Sequence, residues 1–264
     1  MQIRTLSDYC KERFGAKVYR LSLSTGCSCP NRDGKAGRGG CSFCSEGGSG
    51  EFASKVKDLG LQIEEAKEKV KHKFTKDIRE EDKKYIAYFQ SFTNTYGDVD
   101  RLEPIFRTAI QRKEIAALSI GTRPDCLEEK MLDLLEDLNN IKPVWIELGL
   151  QTINEVTAKA INRGYELKVF EKTYYELKKR GIEVIVHVIL GLPKVQHHIE
   201  AGVNQQIARL GSDNAVVDLH GMIGRPIEYI GIEALPKVLM GSLWRALIHK
   251  EICLCPFFGK WGGE

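Results

Sequence analysis

The chain has 264 residues, 42% of them hydrophobic and 28% charged, which suits one large soluble domain and excludes a disordered chain. Its 39 basic and 36 acidic residues are interleaved and leave a net charge of +3, which does not by itself point to nucleic acid. There is no run of about eighteen apolar residues to span a bilayer, and the N-terminus shows neither an apolar h-region nor a small-residue cleavage site, so a cytoplasmic protein is expected.

From residue 17 to about 223, short runs rich in β-branched and aromatic residues alternate with helical patterns, the mark of repeated βα units. The first predicted strand is 18–24. A glycine-rich loop follows it, Cys29-Pro-Asn-Arg-Asp-Gly-Lys-Ala-Gly-Arg-Gly-Gly-Cys41-Ser-Phe-Cys44. Eight cysteines in a chain of this length do not make a secreted disulfide framework, and a tight group of them in a reducing compartment points to metal. Three thiolates from one loop leave a coordination position open on an iron–sulfur cubane, which suits catalysis. Adding Cys27 gives a four-thiolate set that would instead close a structural zinc site. Gly34, Gly37, Gly39 and Gly40 let the loop wrap such a centre with its amides exposed.

A helix is predicted over 55–74, with Val56, Leu59, Ile63, Ala66, Val70 and Phe74 as a core stripe behind the charged face of 64–73. Strand 85–91 runs into a segment, 88–96, of rings, hydroxyls and amides. Helix 101–112 and strand 115–121 lead to the turn Gly121-Thr122-Arg123-Pro124-Asp125, with Asp125 the expected N-cap of helix 127–138 and Glu128 three residues on. Strand 144–151 is apolar enough to be buried yet carries Glu147 and Gln151; a buried carboxylate needs a partner, either a ligand or Arg123 or Arg163. Helices 154–162 and 168–180 precede strand 183–190, whose His187 reads as a satisfied core histidine or as a group at the barrel mouth. A weaker helix at 198–210, with His197 and His198 at the surface before it, leads to strand 215–219. The fold class is therefore α/β, a partial (β/α)6 barrel, with ligands expected at the carboxyl ends of the strands. The expected division is a core over 1–223, its cysteine loop at 26–50, and a tail over 224–264 holding Cys253 and Cys255. That tail reads as an accessory ligand pair, a substrate lid, or the product of a truncation or frame change.

Cys29-Pro-Asn-Arg-Asp-Gly, Gly40-Cys41-Ser-Phe-Cys44, Gly121-Thr-Arg-Pro-Asp, Glu147-Leu-Gly-Leu-Gln-Thr, Asn162-Arg-Gly and Gly191-Leu-Pro occur in that order. Together they resemble the radical S-adenosylmethionine (radical SAM) superfamily, and most closely its small bacterial members related to the radical domain of the elongator catalytic subunit. The resemblance implies a 4Fe-4S cluster on Cys29, Cys41 and Cys44, with S-adenosyl-L-methionine chelating the remaining iron. It implies reductive cleavage to methionine and a 5'-deoxyadenosyl radical, driven by one electron from a partner such as flavodoxin or ferredoxin. Phe43, Arg123, Glu147, Gln151 and Arg163 are then the expected cofactor-binding residues, with either arginine available to the methionine carboxylate. RNA, a small metabolite and a protein stand as substrates. The competing expectations are a zinc-stabilised nucleic-acid-binding module and a cluster-binding relative that has lost catalysis. The resemblance fades after Pro193, where Lys194 and Val195 stand in place of the usual Gly-Glu.

Overall fold

The computed structural model describes residues 6–48, 53, 56–75, 77–190 and 215–221. The helix expected at 198–210, the Gly191-Leu-Pro motif, His197, His198 and the tail over 224–264 lie outside the described residues.

Six parallel strands form one sheet in sequential order: β1 (Val18–Leu23), β2 (Lys84–Phe89), β3 (Ile115–Thr122), β4 (Val144–Gln151), β5 (Glu183–Leu190) and β6 (Ala215–Gly221). Each agrees with its predicted strand to within about two residues. Parallel strands covered on one side by helices and filled on the other by each other's side chains are largely apolar on both faces, and these are so apart from one interior layer. The α/β partial barrel expected from the sequence is the observed architecture.

Helices α3 (Leu59–Val70), α4 (Val99–Gln111), α5 (Glu129–Asn139), α6 (Glu155–Ala160) and α7 (Leu167–Lys179) follow the strands, after α1 (Leu6–Phe14) and a single turn, α2 (Pro30–Asp33), inside the cysteine loop. Asp58, Asp98 and Asn154 cap α3, α4 and α6 with their side chains. Asp125 does not cap α5, as the sequence suggested: Pro124–Cys126 forms a 3₁₀ turn, Glu128 takes the cap position, and Arg123 holds the Asp125 carboxylate. The outward strand residues, among them Leu21, Phe89, Leu118, Ile146 and Val186, pack against Phe106, Leu135 and Phe170 of the helices.

Side chains of a strand alternate between faces, so the barrel interior is built in layers. Val18, Ile86, Ala117, Trp145 and Ile185 make the lowest layer. Helix α1, which the sequence reading did not include, plugs it with Leu6, Tyr9, Cys10 and Phe14. Two residues further along the strands stand Arg20, Tyr88, Ser119, Glu147 and His187, a polar layer where such barrels carry Val, Ile and Leu.

Candidate active site

Above the polar layer, at the carboxyl edge of the strands, lies a cavity of about 440 Å³. Cys29, Cys41, Phe43 and Cys44 of the loop after β1 line it together with Arg123, Glu147 and Gln151. Seven of the eight residues predicted as cluster or cofactor ligands therefore share one cavity wall. Arg163 is the exception. Its guanidinium is fully buried behind the wall and donates to Leu150 O, Thr152 O, Tyr165 O and Glu155 Oε1, at 2.6 to 3.1 Å. That geometry ties the end of β4 to α6 and leaves no fork for a ligand's carboxylate, which corrects the expected role.

The polar layer corrects a second expectation. The Glu147 carboxylate, with a fully buried side chain, pairs with neither Arg123 nor Arg163 but with Arg20 Nη2 at 3.2 Å, His187 Nε2 at 2.9 Å and the Ser119 hydroxyl at 2.5 Å. Burial alone would raise its pKa; Arg20, His187 and Ser119 overcome that and hold it well below the usual carboxylate range. The Tyr88 ring covers the Arg20 guanidinium at 4.7 Å. Glu147 is satisfied by the protein's own groups, and His187, with a side chain 20% exposed, carries this network into the cavity wall.

Arg123 makes a two-point contact with Asp125, at 2.9 and 2.7 Å, and donates its remaining nitrogen to Arg163 O at 2.9 Å. Tyr165 lies between the guanidiniums of Arg123 and Arg163, 4.8 and 4.7 Å from its ring centre, and its hydroxyl donates to Gly149 O and contacts Gln151 Oε1 at 2.8 Å. The tyrosine thus orients the predicted Gln151 amide. Only its position just after Asn162-Arg163-Gly164 could have singled it out from the sequence.

Segment 88–96 supplies groups that sequence reasoning did not single out. Asn94 is fully buried and donates to Phe89 O, Ser91 O and Gly121 O while accepting from the Thr25 hydroxyl, joining the ends of β1, β2 and β3. Gln90 and Thr93 line the cavity, and Gln90 Nε2 and Thr93 Oγ1 are buried with no hydrogen-bond partner among the described residues. Buried polar atoms left unpaired beside a cavity are what a polar ligand would satisfy. The non-glycine residues with left-handed φ among those described, Ser91, Phe92, Gln151 and Asn162, also cluster at this edge, and such strain concentrates where it serves a site.

The thiols divide sharply. Burial pushes Cys10 up to about 11 and Cys126 higher still, as inert core thiols. Cys41 is instead drawn down to about 6, chiefly by a hydrogen bond from the Cys44 thiol, with Asn31, Arg123 and Arg32 adding to it against the cost of burial. Cys44, as donor of that bond, is pushed up. Cys27 is buried in the main core, and its sulfur accepts from Arg101 Nη2 at 2.9 Å, so it does not join the other three. Among the described residues no group of three or more Cys, His, Asp or Glu closes round a single ion.

Gly37 shows how tightly the loop is built: a Cβ there would stand 2.2 Å from Asn31 Oδ1. Gly37→Ala is expected to destabilise the protein by about 1–3 kcal/mol through this overlap, read as a lower thermal midpoint. An unchanged midpoint would show that the loop yields freely.

A family model described as the Radical SAM superfamily matches residues 27–201. The chain belongs to that superfamily. It is 39% identical over 225 residues to YtqA of Bacillus subtilis (strain 168), covering 84% of this chain and 68% of that protein. It is 38% identical over 182 residues to YhcC of Escherichia coli (strain K12), covering 69% of this chain and 56% of that one. The chain thus spans roughly half to two thirds of the length of these relatives. Among solved structures, the archaeal Elp3 of Methanocaldococcus infernus superposes with a TM-score of 0.52 at 16% identity, over 87% of this chain and 53% of that chain. That likeness bears on the fold, and it agrees with the sequential six-stranded sheet. No helix among the described residues is long and apolar enough to cross a membrane.

Proposed function

We propose that this chain is a radical SAM enzyme of the cytoplasm that binds a 4Fe-4S cluster and S-adenosylmethionine in the cavity at the strand ends. The observation that carries the reading is the gathering of Cys29, Cys41 and Cys44 on one cavity wall while Cys27 is held by Arg101 in the core. The donor set fits the cluster: three thiols, one of them already biased toward thiolate, with the Arg32 and Arg123 charges nearby to offset the negative charge of cluster and sulfurs. A closed four-thiolate zinc site would need Cys27 to leave its buried place.

When bound, the cluster with its cofactor supplies one-electron cleavage of the sulfonium bond and a 5'-deoxyadenosyl radical, using an electron from a reductant such as flavodoxin or ferredoxin. The chain's residues position and shield this chemistry. Gln90 and Thr93 offer the unpaired polar atoms to the cofactor's amino-acid part, Phe43 offers an apolar face to its adenine, and Gln151, oriented by Tyr165, offers its amide. Arg123, already held by Asp125, contributes charge more than a free fork, and Arg163 fixes the wall behind it. Glu147 and His187 line the cavity, His187 being the more exposed of the two. RNA, a small metabolite and a protein are the substrates to test.

The test is anaerobic reconstitution with iron and sulfide, reduction with dithionite, and measurement of 5'-deoxyadenosine. A brown protein that releases 5'-deoxyadenosine from S-adenosylmethionine is the expected result. A colourless protein carrying zinc would sink the reading, and a loaded cluster without cleavage would identify a binding-only relative.

A further inference from the structure

Asn31 lies on the single turn α2 within the cysteine loop and is fully buried. Its amide nitrogen donates to Asn162 O at 2.5 Å and to Cys41 Sγ at 3.3 Å. Its oxygen has no hydrogen-bond partner among the described residues. That oxygen faces Gly37 and Gly164, where a Cβ would stand only 2.2 and 2.9 Å away. Turning the amide over would aim an acceptor at a carbonyl oxygen and at a sulfur, both acceptors, so the contacts fix its orientation. A buried acceptor left unpaired is costly. The side chain is therefore retained for its nitrogen, and two glycines make room for it.

The receiving turn is equally specific. Asn162 adopts a left-handed φ of 54°, and its side-chain amide donates to Gly40 O at 2.7 Å and Arg38 O at 3.3 Å. Ser42 N donates to Ile161 O at 3.0 Å. The loop is thus held on the turn after α6 at both sides of Cys41, and Asn31 is the residue that also touches the sulfur.

Resting on the 4Fe-4S reading above, we infer that Asn31 is a positioning residue whose hydrogen bond to the Cys41 sulfur sets the reduction potential of the metal centre, while Asn162 holds the loop that carries it. The physics is direct. A ligating sulfur gains negative charge when the cluster takes an electron, and an N–H aimed at it stabilises the reduced form and raises the potential. Removing the donor makes reduction harder without removing a ligand.

The experiment compares the full chain with Asn31→Leu, which keeps volume without a donor, Asn31→Ala, and Asn162→Gly, which keeps the left-handed backbone. Each is reconstituted anaerobically, its iron and sulfide content measured, and its midpoint found by redox titration followed by electron paramagnetic resonance. Both Asn31 variants are expected to hold a full cluster with a more negative midpoint than the wild type. Asn162→Gly is expected to keep the wild-type midpoint and to lose iron to a chelator several-fold faster. A wild-type midpoint in loaded Asn31 variants overturns the inference, as does an equal midpoint shift in Asn162→Gly. Failure of both Asn31 variants to load while the wild type loads also overturns it, because the amide would then serve the loop's fold alone. A wild type that takes up no cluster instead removes the reading on which the inference rests.

Discussion

Replacing Cys41 with Ala is expected to abolish both the cluster absorbance and the release of 5'-deoxyadenosine, whereas Cys27→Ala keeps both. The two cysteines are only fourteen positions apart in the sequence, yet their surroundings are opposite. Cys41 lines the cavity, beside Cys44 and within reach of the Asn31 amide. Cys27 is 8% exposed in the core with Arg101 on its sulfur. A cubane bound through three cysteines has no spare ligand to replace one of them, so a single loss removes the centre. Cys27→Ala should register elsewhere, as a loss of about 1–2 kcal/mol in stability from the broken hydrogen bond. Iron content and a cleavage assay on the two variants decide the matter. Equal loss of cluster in both would mean that Cys27 leaves the core to ligate, and would revive the four-thiolate alternative.

Glu147→Ala is expected to destabilise the barrel by about 3–5 kcal/mol. It removes a buried carboxylate that Arg20, with a side chain only 11% exposed, His187 and Ser119 all contact. Removing one partner of a buried ion pair costs more than losing one neutral hydrogen bond. The pH dependence follows with a definite sign. A carboxyl held below its unfolded pKa contributes stability that is present above the ordinary carboxylate range and is lost as pH falls through its lowered value. Denaturant unfolding at neutral pH checks the magnitude, and a loss below about 1 kcal/mol would show that Arg20 finds another partner.

The strands were legible because parallel, doubly covered strands are short apolar runs enriched in β-branched and aromatic residues, and these six are, with single polar residues set into them. Helix α1 was not: over Leu6–Phe14 only Cys10 is fully buried, so too short a stripe of apolar positions marks it. The cap of α5 was misplaced because Asp125 has the composition of a cap but faces Arg123, a preference that appears only once Pro124 turns the chain. The site shows the same division. Motif spacing located the three cysteines, since they lie in one loop. The partners of Glu147 come from β1, β3 and β5, and nothing local in the sequence says which strands will stand at the same height. Asn31 stood within a recognised motif, but its acceptor lies 131 residues away.

That separation has a consequence for the order of assembly. In this sheet each strand pairs with its neighbour in sequence, so the sheet can grow one unit at a time through short-range contacts. The bond from Asn31 to the turn after α6 closes across those units and cannot form until four strands and α6 are in place. Closing so long a loop is entropically unfavourable until the platform exists. The cysteine loop is therefore expected to take its final shape only after β4 and α6 have formed, and iron and sulfide would meet an ordered set of thiols only on that platform.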